Sequence, residues 1–290
     1  MPSPENPSLV VTGATSGIGE AIARAALARG WRVFGSARRR EDADRLAERL
    51  GARFHPLVLD VTDYASLERA AGEVGAALGE GRLAGLVANA GIGIPGPLDC
   101  QDWGEWRRQV EVNLFGTAAT AKTFLPLLGT DPGRRGPKGR IVTMSSLGGI
   151  VGQPFVTGYC ASKHGIEGFS EALRRELAPL GIPVIIMAPS LVETPVWDKV
   201  RAQDLSRFDH TRWGRAFRSA IEGIVEAAPR HGMSVEGVAQ ATMRALTDRH
   251  PRLRYAPARI PVIEQGLIPL APRRLIDAIM RFRMGRMMRD

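Results

Sequence analysis

Short apolar runs that alternate with longer helix-like stretches constrain this fold more than any other feature of the chain. The stretch Glu20–Arg29, for example, is rich in alanine and ends at Gly30, a residue that favours a helix end. Parallel strands need crossovers of about a dozen residues or more, usually helices, so the alternation predicts β–α–β units on a parallel sheet. The runs are Leu9–Val11, Trp31–Gly35, Phe54–Val61, Leu83–Ala88, Arg140–Ser145, Pro183–Ala188 and, weakly, Arg252–Tyr255.

Composition narrows the classes of protein that fit this pattern. The chain has 290 residues, 44% of them apolar and 24% charged, which suits one large globular domain over residues 1–290. It contains no apolar run of about 18 residues, and its start lacks a secretory signal, so we expect a cytoplasmic protein. The cysteines Cys100 and Cys160 lie in no metal-binding spacing, and no metal is expected.

The net charge of +9 raises the question of a nucleic-acid or membrane partner. Only four of the 39 basic residues are lysines, and the arginines are spread along the chain rather than concentrated in one patch. A compositional bias towards arginine therefore accounts for the charge better than a nucleic-acid site.

A glycine-rich segment, Thr12–Gly19, follows the first apolar run and precedes the first helical stretch. Glycines let the backbone turn sharply and approach a diphosphate, which free N–H groups and the helix dipole stabilise. This context predicts a dinucleotide site, although a purely structural glycine turn is the alternative. The predicted cofactor-binding residues here are Gly13, Thr15, Ser16, Gly17, Ile18 and Gly19.

The end of the second run predicts which dinucleotide binds. Sites selective for NAD usually carry a carboxylate there, whereas this chain has Ala37 followed by Arg38. A guanidinium binds a 2′-phosphate in a bidentate manner, so NADP(H) is favoured, with NAD(H) as a second possibility. The alternative is that the arginines form a solvated cluster and that Glu41 or Asp42 binds the ribose.

The spacing of Tyr159 and Lys163 indicates acid–base chemistry. They are four residues apart at the start of a helical pattern, so the phenol and the ammonium share one face. A neighbouring cation favours phenolate, so we expect Lys163 to lower the pKa of Tyr159. A structural Tyr–Lys pair is the alternative.

Four further polar residues lie where chemistry is expected. Ser145 and Ser146 end one strand and Asn89 ends another, both at the carboxyl edge where parallel sheets bind ligands. Asn113 interrupts a long helical stretch that asparagine disfavours. Taken alone, the serines could simply form a turn, and Asn113 could be a solvent-facing residue.

Together, the T-G-x-x-x-G-I-G, N-A-G, V-N-L-F-G and Y-x-x-x-K motifs, with a serine thirteen residues before the tyrosine, resemble the short-chain dehydrogenase/reductases. The resemblance covers residues 8 to about 195. It implies a doubly wound Rossmann α/β fold, with helices on both faces of a parallel sheet of about seven strands. It also implies that Tyr159 is the acid/base, Ser146 holds the substrate oxygen, Lys163 binds the nicotinamide ribose, and Asn113 holds a relay water.

The same resemblance implies further contacts. It suggests a homodimer or homotetramer packed through Asp102–Leu128 and Tyr159–Ala178. One departure is Pro189-Ser190, where the family commonly has Pro-Gly. Asp60 would meet the adenine, and the other implied cofactor contacts are Val61, Asn89, Ala90, Gly91, Pro189, Val192 and Thr194.

Two later segments bear on the substrate. The stretch 191–232 follows the cofactor-binding and catalytic core (8–190) and is long enough for a lid. Its aromatic residues suit a hydrophobic carbonyl, although such residues are more often core. The family resemblance implies that residues 147–157 form the opposite wall. The basic C-terminal helix, 267–290, could contact a membrane surface, but a helix docked beside the substrate opening or frayed in solvent is preferred because Gly285 and an incomplete apolar face weaken its amphipathic pattern.

We therefore predict an NADP(H)-dependent oxidoreductase. It would transfer a hydride between nicotinamide and a carbonyl or secondary alcohol, with a hydrophobic ketone, aldehyde, steroid-like or acyl substrate. The alternative is a sensor that binds NADP(H) on the same fold without turnover. The intact Ser146, Tyr159 and Lys163 argue against the sensor.

Overall fold

A computed structural model of the chain describes residues 7–259 and 270–289. Its seven strands form one parallel sheet in the order β3-β2-β1-β4-β5-β6-β7, which confirms the predicted fold. The strands are β1 (Ser8–Val11), β2 (Arg32–Ala37), β3 (Phe54–Val58), β4 (Gly85–Ala88), β5 (Arg140–Met144), β6 (Val184–Met187) and β7 (Arg254–Tyr255).

The order in which strands are added to the sheet reverses between β1 and β4. The chain adds β2 and β3 on one side of β1, and then crosses to add β4 to β7 on the other. Such a reversal opens a crevice outside the carboxyl ends of the strands, where doubly wound folds bind ligands. The glycine segment leaves β1 at this point.

Ten α-helices connect or follow the strands within the described ranges. Their bounds are α1 (Gly17–Leu27), α2 (Arg40–Leu50), α3 (Tyr64–Leu78), α4 (Trp103–Val110), α5 (Gly116–Leu125), α6 (Thr157–Leu177), α7 (Val196–Arg201), α8 (Gly214–His231), α9 (Val235–Thr247) and α10 (Arg273–Arg289). One π-helical turn, Glu111–Phe115, joins α4 to α5, and a second, Pro126–Thr130, follows α5.

The two faces of the sheet bury separate cores. Successive strand residues point to opposite faces, so Leu9 and Val11 pack into a core with α1 and α9, whereas Val10 packs into a core with α3, α5 and α6. Burial on both faces explains why the strands are nearly continuous apolar runs instead of alternating ones.

A third apolar cluster lies apart from the sheet. It joins the 191–232 segment to Phe155 and to α10, and it contains the aromatic side chains that the sequence placed in a lid: Trp197, Phe208, Trp213 and Phe217. We call these residues the lid cluster. Phe217 is fully buried, so this aromatic side chain is core, as the alternative interpretation held.

The C-terminal part docks through one side of a helix. The described helix begins at Arg273, and residues 267–269 of the predicted segment lie outside the described residues. Met284 and Met287 pack against the lid cluster. Among the helices described, none is both long and apolar enough to cross a membrane.

Candidate active site

The glycine segment forms a sharp turn between β1 and α1. Gly13 and Gly17 have φ angles of 67° and 58°, a backbone region that favours glycine. A Cβ on Gly19 would collide with the Gly13 carbonyl oxygen. The side chain of Ser16, the residue before α1, forms no capping hydrogen bond, so it leaves the first-turn N–H groups open to an anion.

The segment is held in place by the end of β4. The Asn89 side-chain amide donates to the carbonyl oxygens of Thr12 and Gly13, at 2.9 and 3.3 Å. In return, the Thr12 hydroxyl accepts the backbone N–H groups of Asn89 and Ala90, both at 3.0 Å. Asn89 therefore fixes the turn in this structure, a structural role that the sequence did not reveal.

The end of β2 presents a free guanidinium. Arg38 is exposed and forms no ion pair with a described residue. Asp42 is already paired with Arg39 and Arg45, and these contacts lower the pKa of its carboxyl group. The alternative in which Asp42 binds a ribose is thus disfavoured, because that carboxylate is occupied.

Asp60 lies near Arg38 after β3. Burial opposes its ionisation, but hydrogen bonds from the Thr62 N–H and hydroxyl, at 2.9 and 2.7 Å, together with the charges of Arg38 and Arg108, lower its pKa overall. Its neighbour Val61 is buried, and a Cβ on Gly116 of α5 would collide with its side chain.

Tyr159, Ser146 and Lys163 come together beyond β5. The Lys163 Nζ lies 5.6 Å from the centre of the Tyr159 ring and donates to the Met144 carbonyl oxygen at 2.8 Å. The Ser146 hydroxyl is close enough to the Tyr159 phenol to lower its pKa, whereas Ser145 turns away and donates to Glu167 at 2.6 Å. Of the two serines, the structure places Ser146 at the tyrosine.

The two titratable groups respond to burial in opposite directions. Burial raises the pKa of Tyr159, and the Ser146 hydroxyl lowers it only in part. Burial lowers the pKa of Lys163 to about 8, against the opposing effect of Glu167. The expected lowering of the Tyr159 pKa is wrong, because desolvation of the phenolate outweighs the lowering by Ser146.

Asn113 lies in the π-helical turn between α4 and α5 and is fully buried. Its side-chain oxygen accepts the Ile92 N–H at 2.8 Å, and its amide donates to the Ile92 carbonyl and the Ser162 hydroxyl, both at 2.9 Å. Ser162 in turn donates to the Tyr159 carbonyl at 2.7 Å. The π-turn therefore points the Asn113 side chain towards α6, and the solvent-facing alternative is wrong.

Two residues of this network escaped the sequence analysis. Ser162 links Asn113 to α6, and Gln109, also fully buried, accepts the Ile94 N–H at 2.9 Å through its side-chain oxygen. Gln109 lies one helical turn before Asn113, so both carboxamides hold the loop of residues 92–96. The i, i+4 spacing of two carboxamides was the available signal.

The loop after β6 closes the other side of the crevice. The buried Pro189 accepts the Leu147 N–H at 3.0 Å, and Val192 accepts the Trp197 indole N–H at 2.8 Å. A Cβ on Gly17 would lie 3.5 Å from Thr194, so this loop reaches the start of α1, where the diphosphate is predicted to bind. At the departure from the family pattern, the Ser190 N–H donates to the Pro257 carbonyl at 3.0 Å.

Comparison with known proteins identifies the family of the chain. Residues 8–205, more than half of the chain, match the family described as short chain dehydrogenase. The chain belongs to the short-chain dehydrogenase/reductase family. It is an oxidoreductase of the class that interconverts CH–OH and C=O groups with a nicotinamide cofactor.

Three similar proteins illustrate the range of the family. The chain is 34% identical over 270 residues to the NADPH-dependent 3-dehydrocapnine reductase of Ornithobacterium rhinotracheale, covering 93% of this chain and 94% of that protein. It is 31% identical to retinol dehydrogenase 16 of Mus musculus, covering 93% and 86%. A solved variant of actinorhodin polyketide ketoreductase with NADPH superposes with a TM-score of 0.74 at 30% identity, covering 89% and 98%.

Proposed function

We propose that this protein is an NADP(H)-dependent reductase or dehydrogenase of apolar carbonyl compounds or secondary alcohols. The observation that carries the proposal is the cluster of Tyr159, Ser146 and Lys163 beside Gly91, at the same sheet edge as the glycine segment. A Cβ on Gly91 would lie 3.2 Å from the Asn113 side-chain oxygen and 3.7 Å from the Lys163 Nζ. The acid–base groups and the cofactor crevice are therefore contiguous.

The residues present suit a dinucleotide. Gly13 in the turn and Gly17 and Gly19 in the first turn of α1 place no side chain at these positions, and the uncapped helix start can stabilise a diphosphate. Lys163 would hold the nicotinamide ribose, and the loop containing Pro189, Val192 and Thr194 would contact the nicotinamide. When bound, the cofactor supplies or accepts the hydride.

The protein's own part is to hold the substrate oxygen and move one proton. Ser146 polarises the carbonyl, and Tyr159 delivers its phenolic proton to that oxygen during reduction or takes a proton from the alcohol during oxidation. A raised pKa keeps the Tyr159 proton in place at neutral pH, which suits the acid in carbonyl reduction. Asn113 and Ser162 link α6, which carries Tyr159, to the loop of residues 92–96.

The phosphorylated cofactor is proposed from Arg38. Its exposed guanidinium makes no competing ion pair with a described residue, whereas neighbouring Arg40 pairs with Asp44. The reductase of Ornithobacterium and the polyketide ketoreductase are also named with NADPH.

We expect Arg38→Ala to weaken NADPH binding by about tenfold to a hundredfold and to leave NADH binding nearly unchanged, because one charge-assisted contact to the 2′-phosphate is lost. Fluorescence titration with both nucleotides measures this, with Arg40→Ala as the matched control. Equal losses for both nucleotides in Arg38→Ala would assign the selectivity to other residues.

The apolar substrate is proposed from the walls of the crevice. Phe155 packs edge-on against Trp213 and Phe217 of the lid cluster. Aromatic side chains therefore join the 147–157 segment to the 191–232 segment on the proposed substrate side. A panel of apolar ketones and aldehydes, followed by NADPH oxidation, tests this. Tight NADPH binding without turnover of any compound would favour a sensor instead.

We also propose that the protein is a homo-oligomer and lies in the cytoplasm. Trp103 and Phe115 on the α4–α5 stretch are 60% and 50% exposed, which suits a face that packs on another copy. Cys100 is exposed and unpaired, as in a reducing compartment. Sedimentation velocity tests the assembly.

A further inference from the structure

The outer face of α10 is apolar and solvent-exposed. Leu275, Ile279 and Phe282 follow one another at spacings of four and three residues and are 53%, 50% and 69% exposed. The opposite side of the helix, with Met284 and Met287, packs against the lid cluster. The helix therefore has two apolar stripes, one buried against the protein and one facing outward, which we call the outer stripe.

Arginines flank the outer stripe. Within Arg273–Arg289 the only acidic residue is Asp277, while six arginines are exposed: Arg273, Arg274, Arg281, Arg283, Arg286 and Arg289. The positive surface continues onto α8, across a groove of about 720 Å³ that Phe282 also lines and to which Arg215 and Arg218 contribute, although Arg218 is paired with Asp209. Glu222 and Glu226 also line this groove, but arginines outnumber them.

We propose that α10 docks on an anionic lipid bilayer, with the outer stripe in the headgroup boundary and with Arg274, Arg281 and Arg283 on lipid phosphates. An apolar stripe bordered by cations is the pattern of helices that lie in a membrane interface. Charge complementarity selects this occupant, because a second copy docked symmetrically would bring the same arginines against one another.

Docking would present the substrate side to the membrane. The Arg273 guanidinium donates to the Ile150 carbonyl at 2.9 Å, four residues beyond Ser146, and Arg215 of α8 donates to the Arg289 carbonyl at 3.3 Å. The helix thus lies across the lid cluster, next to the wall of the crevice. This consequence, that an apolar substrate is taken from the bilayer, rests on the proposed function, whereas the docking itself does not.

Vesicle sedimentation of the full-length protein tests the docking without any substrate. We expect the protein to pellet with vesicles of phosphatidylcholine and phosphatidylglycerol, to pellet at least about tenfold less with phosphatidylcholine alone, and to be released at about 1 M salt, where the Debye length is about 3 Å. Pelleting that is equal on both vesicles would overturn the proposal.

Paired variants locate the surface. Phe282→Ser and the double change Arg281→Glu with Arg283→Glu should each reduce binding to the anionic vesicles by about tenfold or more. The matched controls are Leu253→Ser and Arg249→Glu with Arg252→Glu, at an exposed patch beside the amino end of β7. These controls should bind as the unchanged protein does.

Two outcomes would contradict the assignment. Vesicle binding unaffected by the α10 variants would place the surface elsewhere, and self-association that is lost in Phe282→Ser without vesicle binding would make a second copy the occupant. Retained NADPH binding in every variant shows that each is folded. Failure of the docking test would leave the proposed catalytic function untouched, since that function is measured by turnover of soluble compounds.

Discussion

At the scale of single residues, the hydroxyl of Tyr159 carries the proposed proton transfer. Its ring is held between glycines: a Cβ on Gly148 would lie 3.2 Å from it, and a Cβ on Gly93 would lie 3.7 Å away. Tyr159→Phe removes the hydroxyl but keeps the ring in this space. We expect NADPH binding to persist and turnover to fall by a factor of about 10²–10⁴, the range of one general acid. Undiminished turnover would refute the assigned role, and nucleotide titration of the variant is the control.

Lys163 gives a pH prediction that needs no substrate. Its pKa of about 8 in the folded protein lies below the ordinary value of 10.5, because burial disfavours the charged form. Between these pH values the unfolded chain binds more protons at this residue than the folded protein, so its contribution to stability rises with pH, by about 1.4 kcal/mol per unit of pKa shift.

The matched variant for this prediction is Lys163→Met. Relative to it, the free energy of unfolding of the unchanged protein should increase from pH 8 to 10.5 and stay constant below pH 8. Urea unfolding at a series of pH values measures the difference. A difference that falls over this range would show that burial does not depress the pKa of Lys163.

Spacing along the chain predicts which residues meet, but not how burial acts on them. Tyr159 and Lys163 could be paired from the sequence because a helix has fixed geometry, whereas Ser146 was joined to them through the resemblance to a family motif. The direction of the Tyr159 pKa shift depends on how much solvent the folded crevice excludes, which no local pattern records. Ser162 and Gln109 escaped detection for a related reason, since each has a partner distant in sequence: the Asn113 side chain for Ser162 and the Ile94 N–H for Gln109.

At the scale of elements, the start of α1 depends on the absence of side chains. A Cβ on Gly19 would lie 2.7 Å from the Asn89 amide nitrogen and would also collide with the Gly13 carbonyl oxygen, and both groups are fixed by the contacts that hold the turn. Gly168, in the middle of α6, has nothing within 4 Å of the corresponding position.

Alanine at these two glycines should therefore have opposite effects. Gly19→Ala should lower the thermal midpoint and weaken NADPH binding by about tenfold or more, because the turn must open to relieve the collision. Gly168→Ala should stabilise the protein by about 0.5–1 kcal/mol and leave binding unchanged, since alanine costs less entropy in a helix. Thermal denaturation and nucleotide titration check both. Equal behaviour of the two variants would show that the turn is not tightly packed.

Element type was predictable where the hydrophobic pattern was long, and element ends were not. The run Phe54–Val61 predicts a longer strand than β3, which ends at Val58, because the last residues leave the sheet towards Asp60 and its contacts with Thr62. The π-turn at Asn113 is equally invisible in the sequence, since it is stabilised by tertiary hydrogen bonds to Ile92.

At the scale of the whole molecule, the buried apolar residues form three separate clusters. Two lie on opposite faces of the sheet, and each contains residues from several strands. The lid cluster contains no strand residue; it joins α7, α8 and α10 to Phe155. Because few contacts tie it to the sheet cores, we infer that it opens as a unit of lower stability, as regions over binding sites commonly do.

Two phenylalanines allow a matched test of whether the lid cluster opens independently of the sheet. Phe124 of α5 and Phe217 of α8 are 0% and 1% exposed, but the first packs in a sheet core and the second in the lid cluster. Phe124→Ala should cost about 3–5 kcal/mol of global stability and accelerate amide exchange throughout the sheet.

Phe217→Ala removes the same side chain volume from a unit that opens without the sheet. We therefore expect faster amide exchange confined to α7, α8 and α10, a smaller shift of the global unfolding midpoint than Phe124→Ala produces, and a raised KM for apolar substrates with NADPH binding retained. Hydrogen exchange followed by mass spectrometry distinguishes the two patterns. Exchange that accelerates equally in β1 and β4 of both variants would mean that the lid cluster and the sheet unfold as one cooperative unit. Substrate would then have to enter without separate opening of the lid cluster.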